Sequence, residues 1–250
     1  MDVIRFQVDL LALGVDCDRD FSPGGALLGS AAEPSFHVNA FYPLHPGFRY
    51  DAALLQRLRD HHARLGREGY LVRYDPVVAP DHDCAAILVP ADACNGTTGR
   101  DEHRFACVRT DDAGQWCRTY VAGSPWTALA RLEQTTTRLR QAYEVRLYLF
   151  TVDGVAVGAG SLVAMGGNAY MANGYSVIPE HRGDILGRAR LVRMSTSHDV
   201  VALTSRRFAR VLARAMPSVS MLGRLGYYRL ATATADADAG LDSPAPAPAG

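Results

Sequence analysis

The chain has 250 residues, a formal net charge of zero and a sequence pI near 7.1. That balance gives no support to bulk binding of nucleic acid or of an anionic membrane surface. Apolar residues make up 48% and charged residues 21%, which fits a globular chain with a real core. All 26 basic residues are arginine, so chemistry that needs a lysine is excluded: a Walker phosphate loop, a pyridoxal-phosphate Schiff base and a kinase-type strand lysine.

In chain order, alternation through Val3, Arg5, Gln7 and Asp9 predicts a first strand. Residues 16–35 are polar and glycine-rich and read as loop. Asp51 is placed to cap a helix running to about Arg64, with Leu54, Leu55, Leu58 and Leu65 on one face and Gly66 or Gly69 at its end. Strands are expected over 69–74, 84–89, 104–109 and 116–121, with a polar loop at 91–103. Ser124-Pro125 reads as a helix start, followed by Leu129, Leu132, Thr136 and Leu139 at helical spacing. Asp153-Gly154 is a hairpin turn between strands over 145–152 and 155–164. After Gly166-Gly167 comes a strand over 168–178, a helix over 186–195 and a strand near Val200–Thr204. A helix over 206–216, a short helix from Pro217 and a strand from Tyr227 to Thr234 follow. The Ala/Asp/Pro/Gly-rich residues 235–250 read as a disordered tail.

The five cysteines show no C-x-x-C spacing, so reduced thiols are the default. The first residues lack the layout of a signal peptide and no apolar run approaches about 18 residues, so a cytoplasmic protein without a membrane span is expected. Asp60-His61-His62 and Asp81-His82-Asp83-Cys84 carry ligand-type residues without H-x-H or H-E-x-x-H spacing. They read as a solvated helix face and a solvated loop, and no metal is expected.

The richest stretch is Tyr175 to Arg193, YSVIPEHRGDILGRARLVR. A strand ends at Val177-Ile178-Pro179, a polar glycine turn follows, and a helix opens near Leu186. Unpaired amides at a helix N-terminus, with arginines at 182, 188, 190 and 193, suit a pyrophosphate. Val-x-Pro-x-x-Arg-Gly followed by Gly-Arg-Ala resembles the acyl-CoA loop of the GCN5-related N-acetyltransferases. The hairpin Leu147 to Val163 is similar to the strand pair before that loop. Met221-Leu222-Gly223-Arg224-Leu225-Gly226-Tyr227-Tyr228 resembles the family's closing motif. The three occur in the family's order, over residues 124–231.

The resemblance implies an α+β fold: a twisted, mixed but mostly antiparallel sheet flanked by helices, splayed near Val177. It implies acetyl-CoA or another acyl-CoA as co-substrate, held by Val177, Arg182, Gly183, Asp184, Ile185, Leu186, Gly187 and Arg188. The expected organisation is an N-terminal α/β region over 1–123, which either supplies the first strand and helices of the domain with a substrate cover or is a degenerate half of the same fold, and an acyltransferase domain over 124–234. The implied function is acyl transfer, acetyl above all, to an amine of a small molecule. Neither nucleic acid nor membrane is an expected partner, and the oligomeric state stays open, a homodimer among the options.

Departures from the family pattern keep a second reading in view. Ile185 replaces a loop glycine, Asp184 puts a carboxylate near the expected anion, and Leu222 stands where the family often has a proton-donating tyrosine. A repurposed fold, binding a small molecule or working without CoA, would tolerate all three. No carboxylate lies between Val155 and Ile178, so the candidates for proton transfer are Tyr175, Glu133 on the preceding helix and Tyr227.

Overall fold

The computed structural model describes residues 3–93, 104–124, 127–166, 169–182 and 198–231. The expected helix over 186–195 and the tail over 235–250 lie outside these residues. The chain divides into one unit of Met1–Gly14 with Cys84–Arg224 and a second of Val15–Asp83 with Leu225–Gly250. These boundaries differ from a division between 123 and 124, because residues 105–123 build onto the strands that follow them.

In the first unit the strand order is β5 (His82–Val89), β10 (Asp199–Ser205), β9 (Ala169–Val177), β8 (Val155–Gly166), β7 (Val145–Val152), β6 (Phe105–Thr110). Every pairing is antiparallel except β9 with β10. Successive residues of a strand face opposite sides, and the packing follows that rule. Tyr170, Val200 and Ala202 join Ala209 and Leu212 of helix α5 (Arg206–Ala215) in one core. Met171, Val201 and Val163 face the other side. There they meet Phe6 and Leu10 of α1 (Val3–Ala12) and Leu139 of α4 (Leu129–Ala142).

Two expected strands are helices. Residues 3–12 form α1, because Ile4 with Val8 and Phe6 with Leu10 are one turn apart and are buried together. Residues 113–123 form α3, not a strand over 116–121. Asp112 caps it by accepting the Gln115 N–H at 2.8 Å. Trp116 and Cys117 then bury against Leu147, Leu149 and Ala159. Ser124 closes α3, donating its N–H to the Val121 carbonyl, and α4 starts only at Leu129.

The second unit has the order β1 (Asp16–Asp18), β2 (Gly25–Gly29), β3 (Ala40–Pro43), β4 (Tyr70–Tyr74), β11 (Ser220–Arg229), with residues 225–229 of β11 in this unit. Only the pairing of β3 with β4 is parallel among these strands. Residues 16–35 are therefore not all loop: β2 is entirely buried, and Gly25 lies against the Phe41 ring, which a Cβ would meet at 1.8 Å. The chain turns at Pro217 and is extended from Ser220, so the short helix does not form, and the last strand runs from Ser220 to Arg229 instead of starting at Tyr227. Helix α2 (Ala52–Arg64) starts as expected at Asp51, whose carboxylate accepts the Leu54 N–H. Its Leu54, Leu55 and Leu58 pack with Leu27, Phe41 and Leu71. His62 is not on a solvated face; it is 2% exposed.

Both units share one plan. Antiparallel strands run in sequence, four in the first unit and three in the second, a crossover leads to a parallel strand, and an antiparallel strand finishes the sheet. The finishing strands are exchanged along the chain: β5 follows β4 but pairs with β10, and the end of β11 follows β10 but pairs with β4.

The segment between β2 and β3 hangs on one side chain. Asn39 is 1% exposed; it accepts the Ser30 N–H at 2.9 Å and donates to the carbonyls of Glu33 (2.6 Å) and Ser35 (3.1 Å). Asn39→Ala strands all three backbone groups and is expected to cost about 2 kcal/mol. Urea unfolding of the purified variant measures this as a lower midpoint at constant slope.

Candidate active site

The site is built where β9 leaves β10. Their pairing stops at Ala172 with Ala202, so Asn173 to Val177 have no β10 partner, although the Asn173 and Val177 carbonyls accept from Ser161 and Arg182. At the same place β9 bulges: Asn173 and Gly174 together face Ser161 of β8. Gly174 has φ +71°, a conformation that suits glycine. Ser161 Oγ fixes the bulge by donating to the Asn173 carbonyl at 2.7 Å. Backbone N–H and C=O groups left on a parted strand edge can pair with amides of an extended ligand.

Helix α3 is fastened beside this edge at three points. Trp116 Nε1 donates to the Gly160 carbonyl (2.9 Å), Ser176 Oγ to the Tyr120 carbonyl (2.7 Å), and Arg182 Nη2 to the Gly123 carbonyl (3.0 Å). Arg182 Nε also donates to the Val177 carbonyl at 3.1 Å. Cationic and hydroxyl donors at the last carbonyls of a helix satisfy groups the helix leaves open.

Among the candidates, Val177 and Arg182 meet at the end of β9, where Arg182 uses two of its donors on backbone carbonyls. Gly183, Asp184, Ile185, Leu186, Gly187 and Arg188 lie outside the described residues. Tyr175 is packed against the core shared with α5, and burial raises its phenol pKa above the ordinary value. It is a neutral donor at neutral pH, not a base. Glu133 is exposed on α4. Tyr227 lies in the second unit, fully buried, with His37 Nδ1 at 3.1 Å and the Tyr42 hydroxyl at 3.2 Å. Tyr42 donates to the His37 carbonyl at 2.8 Å. The ring is satisfied when His37 Nδ1–H donates to Tyr227 and Tyr227 donates to Tyr42, which uses the Tyr227 proton inside that core. Leu222 is 48% exposed on β11.

Sequence reasoning missed α3 and with it Trp116 and Tyr120. The signal was Asp112 followed three residues later by Gln115, then apolar residues one turn apart.

The second unit has a comparable parting of strands, closed by its own side chains. The β3–β4 pairing stops at Phe41 with Leu71. Beyond it Tyr50 donates to the Val72 carbonyl (2.6 Å) and Tyr74 to the Pro43 carbonyl (2.7 Å). Asp51 places a carboxylate on the N-terminus of α2, where an anionic ligand would need a vacant positive end.

Among the described residues, no group of three His, Cys, Asp or Glu side chains is arranged to hold a metal ion, and no helix is long and apolar enough to cross a membrane. No protein-family model and no curated protein matches the sequence. Solved structures do resemble the fold. A functionally unknown conserved protein from Staphylococcus epidermidis superposes with a TM-score of 0.54 at 12% identity, over 85% of this chain and 93% of that one. A GCN5-related N-acetyltransferase from Kribbella flavida superposes with a TM-score of 0.52 at 11% identity, over 89% and 92%. With the parted parallel strands and the bulge before them, these likenesses show that the chain has the fold of the GCN5-related N-acetyltransferases.

Proposed function

We propose that the protein is an acyl-CoA-dependent N-acyltransferase, transferring an acetyl or other short acyl group to an amine of a small molecule, with the first unit binding the donor. The observation that carries this reading is the parted edge of β9 after Ala172, with its bulge at Asn173-Gly174. An extended pantetheine arm has amides at a spacing that can pair with such an edge. The second unit is a poor host for the same ligand, since Tyr50, Tyr74 and Asp51 occupy the equivalent groups. Catalysis rests on positioning the thioester and polarising its carbonyl by backbone dipoles. Neither a metal, a nucleic acid nor a membrane takes part, and the protein works in the cytoplasm.

Calorimetric titration with acetyl-CoA and with CoA at low salt tests the reading. Micromolar binding is the expected result. No binding at millimolar ligand would move the search to the second reading, a fold repurposed for CoA-independent chemistry, which Leu222 favours because it has no proton to give. Arg182→Ala is expected to weaken acetyl-CoA binding severalfold, because its guanidinium joins Val177 to the end of α3. Unchanged affinity in the same titration would remove Arg182 from the site.

A further inference from the structure

The parted strand carries no carboxylate, Leu222 has no acidic proton, and the proton of Tyr227 is used within the second unit. The thiolate released by a thioester still has to be protonated. Besides Ser161 Oγ, which is engaged with the Asn173 carbonyl, a tyrosine hydroxyl stands at the bulge. The Tyr120 Oη lies 2.9 Å from the point that a Cβ on Gly174 would occupy, with its ring carbons at 3.7 Å. Gly174 is thus a glycine for two reasons, its positive φ and the tyrosine placed against it. Tyr120 as a whole is partly buried.

Its position is well determined. Trp116, one turn earlier, packs 5.2 Å from its ring and is tied to Gly160. The carbonyl of Tyr120 itself accepts from Ser176. Three turns of α3 are therefore locked to β8 and β9 around this hydroxyl, on the side of the sheet opposite Tyr175. A group held this way keeps its geometry as charge develops beside it, which is what makes a general acid effective.

Resting on the acyltransferase reading above, we propose that Tyr120 is the proton donor to the leaving thiolate. The acceptor amine attacks the thioester carbonyl carbon and forms the C–N bond. The C–S bond breaks with its electron pair going to sulfur, and the Tyr120 O–H gives its proton to that sulfur. The proton lost from the attacking nitrogen passes to water, and water returns one to the phenolate.

The test uses the full chain, acetyl-CoA as donor and hydroxylamine as a small general acceptor, with thiol release followed at several pH values. Tyr120→Phe is expected to bind acetyl-CoA within twofold of the wild type but to release thiol about 10²-fold more slowly. It should also lose the alkaline limb of the pH profile. Tyr120→His, which restores a proton donor, should recover part of the rate. If Tyr120→Phe releases thiol at the wild-type rate, or if the wild type binds acetyl-CoA yet releases none to hydroxylamine, the role of Tyr120 is overturned while the donor site stands. If the wild type does not bind acetyl-CoA, the acyltransferase reading itself fails and this assignment with it.

Discussion

Gly123→Ala is expected to lower the stability of the protein by about 3 kcal/mol and to abolish acetyl-CoA binding at micromolar ligand. Gly123 ends α3 and is buried. A Cβ there would lie 2.3 Å from Ser176 Oγ, 2.6 Å from the Val177 carbonyl carbon and 2.7 Å from the Val177 nitrogen. Two of those atoms are backbone, so no rotamer change relieves the clash. Either α3 moves off β9 or β9 moves off β8. Moving α3 breaks the bonds from Ser176 to the Tyr120 carbonyl and from Arg182 to the Gly123 carbonyl, which together position the edge proposed to hold the donor. The backbone of Gly123 is not in the left-handed region, so the loss is one of space alone. Gly223→Ala is the control: its Cβ would meet nothing within 4 Å, and the same restriction of the unfolded chain should leave stability unchanged or slightly raised. Urea unfolding of the two variants beside the wild type separates them. A Gly123→Ala protein as stable as the wild type would mean that α3 does not approach β9 this closely.

Acidification is expected to weaken the second unit by about 3 kcal/mol between pH 6.5 and pH 4 through His62 alone. The imidazole is 2% exposed, and neither ring nitrogen has a hydrogen-bond partner among the described residues. It lies over Gly69, whose Cβ would stand 2.2 Å from its Cδ2. Burial first, and then the neighbouring His61, lower its pKa from 6.5 to about 4. The sign follows from which state takes the proton first. Above pH 6.5 both folded and unfolded chains hold it neutral, and the site adds no pH dependence. As pH falls through 6.5 the unfolded chain binds a proton that the folded chain refuses until about pH 4, so folding loses ground across that window and no further below it. His37 acts in the same direction, lowered to about 4 by burial and then by His82. His62→Leu replaces an unsatisfied polar ring with an apolar side chain. It should narrow the gap between unfolding free energies measured at pH 7.5 and pH 5. Equal stability of the wild type at those two values would show that His62 is not held neutral in the fold.

Features fixed by a few neighbouring residues were legible in the chain. Asp153-Gly154 places two positive-φ residues between the strands of β7 and β8, at φ +49° and +81°, and the sequence alone says so. Asp51 caps α2 because its side chain needs only a nearby N–H. The order of hairpin, V-x-P strand end and closing motif was enough to identify the fold. Helices α1 and α3 were not legible as such. Their apolar residues fit either period over so short a run, and the partners that decide the matter, Leu139 for α1 and Leu147 and Leu149 for α3, are distant in sequence.

The turn at 182–188, which resembles an acyl-CoA loop, was the strongest local signal, but what the structure adds lies beside it. The bulge at Gly174, the fastening of α3 and the place of Tyr120 depend on which residues of β8 and β9 face each other, and a register is a pairing between segments. The repeated plan of the two units is of the same kind. No internal repeat is visible along the chain, and each unit takes its finishing strand from the sequence that follows the other's parallel strand. The chain by itself determined the Asp153-Gly154 turn, the Asp51 cap and its lysine-free chemistry, since those depend on covalent neighbours and composition. Tertiary structure alone decided which strand finishes each sheet, which half keeps an open edge and which hydroxyl stands beside it, since those depend on burial and pairing across long stretches of chain.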